Sequence, residues 1–317
     1  VDATITFKPH NNPMFTFTEE KIGRGMLVDK TMTDIKAKVD GRDFTPYQIP
    51  VEELHPKYTL AEVKTWTSKL SVYSTKLSGG SDRVHNITLS SKSFDGVRID
   101  PGNVYSFNEA TGPRDKRHGY RDAPVIKQGK KLVPEPGGGN CQTSTTLYGA
   151  ALRADLKIAE RYNHSWPSSY TEIGQDATVN YPSADLKIKN QKDSAVFIRR
   201  YINNGRLFVE VYGKAPTEYD KIEVVSTVLS STPAPPEKVQ NDSTMYKGQT
   251  IVEYKSRAGY KVQSYRVYYK NGKVVKKTKE ALSVYPRITG KIIVGTKEPP
   301  KAPQPAQPST PPSQPAQ

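Results

Sequence analysis

Cysteine and long apolar runs are what this sequence has least of, and histidine is sparse. One cysteine in 317 residues excludes an internal disulfide, and in a secreted chain a leftover cysteine reads as a reactive thiol. The five histidines fall at no HxxxH spacing, there is no CxxC, and no cofactor-binding signature is present, so neither a metal nor another cofactor is expected. No apolar stretch reaches the roughly 18 residues of a membrane span, and no signal-peptide pattern occurs. The chain opens at Val1 without methionine, as a processed or truncated ectodomain would, with its anchor expected to have been cut away.

Charge is plentiful by contrast. Forty-seven Lys and Arg face 32 Asp and Glu, a net charge of +15 and a pI near 9.5, which implies an acidic partner or surface. Wall polymers, membrane and nucleic acid are the candidates. The basic residues are scattered and form no run, and no nucleic-acid motif occurs, so nucleic acid is disfavoured. The length predicts two or three domains, each able to bury a core.

Residues 137–154, GGGNCQTSTTLYGAALRA, organise the rest. Pro134, Pro136 and the three glycines deny helix before Asn140, whereas Thr143 to Ala154 reads as helix. Cys141 therefore sits at a helix N-terminus, where unpaired N–H groups and the helix dipole stabilise a thiolate. His164 in YNHSWP and Asp176 in GQDATV follow in the order Cys, His, Asp. A base that takes the thiol proton and a carboxylate that fixes the imidazole are what acyl transfer needs, as in transglutaminase-like and papain-like enzymes. The helix, strand, strand unit resembles a transglutaminase-like core. A papain-type oxyanion glutamine lies upstream of its cysteine; the nearest here is Gln128, across a proline-rich loop, so Gln142 or backbone N–H groups would have to substitute. Two other readings stand beside this one. A cysteine beside glycines also fits a small buried residue at a helix–loop junction, and Cys141, His164 and Asp176 are a conceivable zinc set without the paired spacing such sites use.

Taken in order, residues 1–58 form a small α+β lobe with strand-like TITF and FTF. One helix is expected from Asp29 as N-cap to Gly41, with Met32, Ile35 and Val39 as its apolar stripe, and YQIPVEEL reads as an edge strand because of Pro50. Residues 59–214 form a mixed helix/strand core. Its first helix, TLAEVKTWTSKLSVYSTKL, spaces Leu60, Val63, Trp66 and Leu70 on one face, and a second runs from Asp82 to Phe94. Arg114, Arg117 and His118 make a basic loop suited to an anionic substrate group. Asn204–Gly205 and Asn271–Gly272 predict hairpin turns. Residues 221–296 read as an elongated all-β module, and 297–317 as a proline-rich disordered tail. The fold class is α+β.

The segments YSFNEATGPR, RHGYRDAPVI, GGGNCQTSTTLYGAAL, ERYNHSWP and GQDATVNY together resemble the VanW family, named after a vancomycin-resistance accessory protein, over about residues 80 to 212. The lobe before it looks like the last part of a peptidoglycan-binding domain. KGQT, AGYKV, KNGKVV and VYPRITGKIIVGT resemble a G-five domain, a module of wall-facing bacterial proteins. The family pattern falls on Gly138, Gly139, Cys141, Gln142, Ser144, Leu147, His164 and Asp176, with Asn140 where an apolar residue is more usual. The resemblance implies an extracytoplasmic setting, at the cell wall or anchored to the outer face of the membrane of a Gram-positive bacterium. It implies peptidoglycan or an anionic wall polymer as partner, and membrane contact only through the missing anchor.

Two functions follow from the sequence. In one, Cys141 is nucleophile, His164 base and then acid, and Asp176 the orienting carboxylate of a hydrolase or transpeptidase, with Gln142, Ser144, Tyr148, Trp166 and Arg114 around the substrate. In the other the core binds glycan or stem peptide without turnover in an aromatic-lined cleft.

Overall fold

The computed structural model describes residues 1–300; the proline-rich stretch beyond them lies outside the described residues. The chain opens with β1 (Thr4–Phe7), β2 (Phe15–Thr18), β3 (Gly23–Met26), α1 (Val28–Asp40), β4 (Val51–Leu54) and α2 (Leu60–Lys64). It continues through β5 (Ser68–Lys76), α3 (Ser81–Ser91), β6 (Arg98–Ile99), β7 (Val104–Ser106), α4 (Phe107–Thr111), β8 (Asp122–Lys127), β9 (Lys131–Pro136) and α5 (Asn140–Arg153). After these come β10 (Lys157–Glu160), β11 (Lys187–Lys189), β12 (Val196–Asn203), β13 (Arg206–Gly213), β14 (Lys221–Thr232), β15 (Lys238–Tyr246), β16 (Thr250–Tyr254), β17 (Gly259–Lys270), β18 (Lys273–Tyr285) and β19 (Lys291–Lys297). Strands predominate over helices.

Two compact units result, Val1–Ser231 with Gly259–Pro286, and Thr232–Ala258 with the described residues from Arg287 onward. At the centre of the first is the sheet β5-β13-β12-β6. Its strands alternate faces with period two, and both faces are apolar. Val196, Ile198, Val209 and Val211 enter the cluster built around Leu147, Ala150, Ala151 and Leu152 of α5. Ala195, Phe197 and Tyr212 point the other way, onto Ala3 and Ile5 of the β1–β2 hairpin and onto Val63 and Trp66. Each large apolar side chain so buried contributes about 1.5–3 kcal/mol. A second small sheet, β10-β11-β7, flanks this core, and β14-β17-β18 belongs to the same unit. Asn204–Gly205 and Asn271–Gly272 do turn the hairpins, each pair with positive φ, as the tight turn between twisted strands requires.

The expected helix over residues 59–77 is corrected. Only α2 and a 3-10 turn at Thr65–Thr67 are helical, and they bury Val63 and Trp66 as that spacing predicted. From Ser68 the chain is strand, because SKLSVYSTK gains a full antiparallel ladder to β13, from Lys76 opposite Arg206 to Ser68 opposite Gly213. Ladder pairing overrides a helical period in so short a run. In α1 the stop at Gly41 holds, but Asp29 lies in the first turn and not at the cap. Met32, Ile35 and Val39 are exposed, so that stripe is not a core face.

The second unit is a three-stranded sheet with β19 in the middle, parallel to β15 and antiparallel to β16. It buries little, with Val239, Ile251 and Val252 all exposed. No described helix is long and apolar enough to cross a membrane.

Candidate active site

The glycine run enters α5 in a conformation closed to other residues, with φ of 87° at Gly137 and 112° at Gly139. Space forbids side chains as well. A Cβ on Gly138 would lie 2.5 Å from the Ala123 carbonyl oxygen, one on Gly139 2.8 Å from Ile87 and 3.1 Å from the Arg83 carbonyl, and one on Gly137 3.0 Å from Arg114 Cβ. Held between α3, β8 and Arg114, the loop delivers Cys141 as the second residue of α5. Among the described residues the Cys141 N–H has no backbone acceptor, as is usual for the first N–H groups of a helix.

The sulfur lies 3.2 Å from Thr178 Oγ1 and 3.5 Å from both the amide and the carbonyl of Val179. The His164 imidazole lies near enough to act on it. Burial pushes the thiol up; the nearby His164, with help from Thr178 and Val179, outweighs it and brings the thiol down to about 7. For His164, burial pushes the imidazole down, and the hydrogen bond to Asp176 and the nearby Cys141 lift it to about 9. The pair therefore favours thiolate and imidazolium together near neutral pH.

Asp176 anchors the arrangement and is 1% exposed. Its Oδ2 accepts from His164 Nδ1 at 2.5 Å and from the His164 backbone N–H at 2.7 Å. Its Oδ1 accepts from Arg161 Nη2 at 3.3 Å and from the hydroxyl of Tyr285. Burial alone would raise this carboxyl, but the His164 and Arg161 partners hold it below the ordinary carboxylate range. Tyr170 OH, 3.3 Å from His164 Nε2, and Ser168 Oγ, 3.2 Å from Nδ1, complete the ring's surroundings.

Cys141, His164 and Asp176 are thus brought together, with Cys141 as a whole partly exposed. The residues expected around the substrate fare differently. Gln142, Ser144 and Tyr148 are corrected, because α5 is buried on all sides and they face protein. Gln142 Nε2 donates to Thr75 Oγ1 and the Lys76 carbonyl, Ser144 Oγ donates to the Ala177 carbonyl at 2.7 Å, and the Tyr148 ring lies under the Arg161 guanidinium. Trp166 is also buried. Arg114 is half-buried, packed on the Phe107 ring. Gln128 occupies the β8–β9 turn with φ of 50°. Among the described residues no group of three or more His, Cys, Asp or Glu is arranged to hold a metal ion.

Comparison with known proteins places this chain in a lineage. The family described as VanW like protein matches residues 82–212, and the G5 domain matches residues 224–297. The uncharacterized protein YoaR of Bacillus subtilis is 30% identical over 226 residues, which cover 70% of this chain and 71% of that protein. The chain belongs to the VanW-like family. Vancomycin B-type resistance protein VanW of Enterococcus faecalis is 31% identical over 147 residues, 44% of this chain and 53% of that protein. Among solved structures, the IgA1 protease G5 domain aligns over 26% of this chain and 99% of its own, at 18% identity and a TM-score of 0.17. HP0197-G5 aligns over 23% and 97%, at 19% identity and a TM-score of 0.14.

Sequence reasoning missed two members of the VanW-like site, Arg161 and Tyr285. Arg161 also donates through Nε to the Asp176 carbonyl and through Nη1 to Ser283 Oγ. Its place just before YNHSWP was a usable signal. Tyr285 comes from 109 residues further along the chain, inside the G5 match, and nothing local to Asp176 announces it.

Proposed function

We propose that this chain is a cell-envelope protein that acts on peptidoglycan by cysteine acyl transfer, as an amidase, peptidase or transpeptidase. The observation that carries the reading is the gathering of Cys141, His164 and Asp176, with His164 Nδ1 held 2.5 Å from Asp176 Oδ2 and the imidazole acting on a thiol brought down to about 7. A VanW-like lineage that includes a vancomycin B-type resistance protein, a G5 domain and a net charge of +15 support an extracytoplasmic setting against peptidoglycan or an anionic wall polymer. Attachment to the outer face of the membrane belongs to the same proposal.

In this mechanism the Cys141 thiolate attacks the amide carbonyl carbon, and the oxygen's developing charge is met by the N–H at the start of α5. The C–N bond breaks as the imidazolium of His164 gives its proton to the leaving amine. Water, deprotonated by the now neutral His164, then cleaves the thioester, or an incoming amine takes its place in transpeptidation. Asp176 holds the ring and offsets its charge throughout.

The test is incubation with purified stem peptides and sacculi, reading released amine and a Cys141-linked acyl adduct by mass spectrometry. His164→Ala should slow turnover by about 10²–10⁴-fold, and Cys141→Ala should abolish it. A second, non-catalytic reading is favoured by one observation: Thr178 and Val179 already engage the sulfur on its protein side. Binding to sacculi that survives moderate salt, with neither product nor adduct, would establish that binding role and end the enzyme reading.

A further inference from the structure

We propose that Arg83 and Arg114 form a carboxylate subsite beside Cys141, so that the substrate is a peptide whose free α-carboxylate lies within one residue of the scissile amide. The proposal rests on the cysteine-nucleophile reading and adds the chemical class of the substrate. Both arginines flank the loop that carries the thiol. The Arg83 backbone carbonyl and Cγ border Gly139, two residues before Cys141, and Arg114 borders Gly137, four residues before it.

Charge pairing then singles them out. Around the thiol, the two anions Cys141 and Asp176 are matched by the two cations His164 and Arg161. Arg83 and Arg114 remain in excess. Among the described residues neither has a carboxylate partner, although neighbouring Arg121 pairs with Asp82 at 3.1 Å and Lys116 with Asp122 at 2.8 Å. Arg83 has only the Ser78 carbonyl for Nη1. Arg114 holds Asn108 Oδ1 and Thr111 Oγ1 through Nη2, and its buried Nε has no acceptor. Asp185 acts on Arg114 by its charge, yet its oxygens are taken by Ser106 Oγ and the amides of Asn108 and Leu186. Burial depresses both guanidiniums, and the charge of Cys141 acts on each. Desolvated, uncompensated guanidiniums are costly unless an anion completes them, and their planar forks suit a carboxylate.

The probe is a pair of alkylating reagents of equal reach, anionic iodoacetate and neutral iodoacetamide. In each the thiolate sulfur attacks the methylene carbon and iodide leaves, so the ratio of their rates isolates recognition of the carboxylate from thiol ionisation. The intact chain should show a ratio roughly tenfold or more above that of a small free thiol, the preference given by about 1.4 kcal/mol of carboxylate binding, and the iodoacetate rate should saturate. Arg83→Gln and Arg114→Gln should each lower the ratio toward the free-thiol value, and Arg114→Lys should keep part of it. A free-thiol ratio in the unaltered chain overturns the subsite while leaving the nucleophile reading intact. So does a raised ratio that neither substitution changes, since the imidazolium alone would then explain it. If neither reagent modifies native Cys141, both proposals fall.

Discussion

Asp176 decides how the site behaves at the scale of single residues, because four donors converge on one buried carboxylate. Tyr285→Phe removes one of them without changing shape. A hydrogen bond to a charged group contributes about 1.5–3 kcal/mol, so this variant should unfold at lower urea, and its imidazole, less firmly held, should leave the thiol titrating above about 7. An unchanged unfolding midpoint together with an unchanged thiol titration would show the contact to be incidental. That Cys141, His164 and Asp176 would lie close together was suggested by rare residue types in a telling order, and the proposed chemistry rests on that proximity. Gln142, Ser144 and Tyr148 were misread for a physical reason. Polar residues beside a candidate nucleophile suggest a lined cleft, but here the Gln142 amide and the Ser144 hydroxyl satisfy buried side-chain and backbone groups, and the Tyr148 ring is enclosed by protein.

At the scale of elements, α5 is a helix buried around its whole circumference, which its Thr- and Ser-rich sequence does not advertise. Its close approach to β5 turns on Gly149, where a Cβ would lie 2.3 Å from the Tyr73 ring. That ring is fixed by Thr171, 2.9 Å from its hydroxyl, and by the Arg153 guanidinium over its face. Gly149→Ala sets two effects against each other. Helix propensity favours alanine by about 0.8–1 kcal/mol, and overpacking costs about 1–3 kcal/mol. Overpacking should win, lowering the urea midpoint without changing the slope of the transition. A stabilised variant would mean that β5 and α5 separate more readily than this packing allows. Helix α3, the Asn-Gly hairpins and the edge position of β4 were readable from periodicity and turn chemistry. The strand at Ser68–Lys76 was not, because its partner β13 lies far along the chain and only pairing tells strand from helix there.

For the whole molecule, the VanW-like and G5 matches meet within one compact unit, since β17 and β18 belong with residues 1–231. Residues 1–58, 59–214 and 221–296 stand as a proposed division into sequence modules. The buried side chain of Arg266, on β17, pairs with Asp155 at 3.1 Å and Glu280 at 2.6 Å, and Tyr268 OH donates to Asp155 at 2.7 Å. Ending the chain at residue 214 strips Asp155 of Arg266, Tyr268 and Tyr219 and strips Asp176 of Tyr285. Breaking a buried ion pair by removing one partner costs about 3–5 kcal/mol. The shortened chain should melt at lower temperature and be cut by protease within the core, whereas a fragment as stable as the intact chain would show that β17 and β18 are dispensable to it.

The central claim is that Cys141 is an accessible thiol ionised by His164, and the rate of alkylation by iodoacetamide across pH tests it most directly. His164 titrates above its free value, so the stabilisation from its imidazolium is complete below about 6.5 and is lost as pH rises through about 9. Cys141 titrates below its free value, so the stabilisation from its thiolate is present above about 8.5 and is lost as pH falls through about 7. Between about 7 and 9 the ion pair is intact. The account predicts that native Cys141 alkylates with a midpoint near 7, and that in His164→Ala, where burial acts without the imidazole, the midpoint rises above about 8.5. A native thiol that resists alkylation at every pH until the chain is denatured would contradict it.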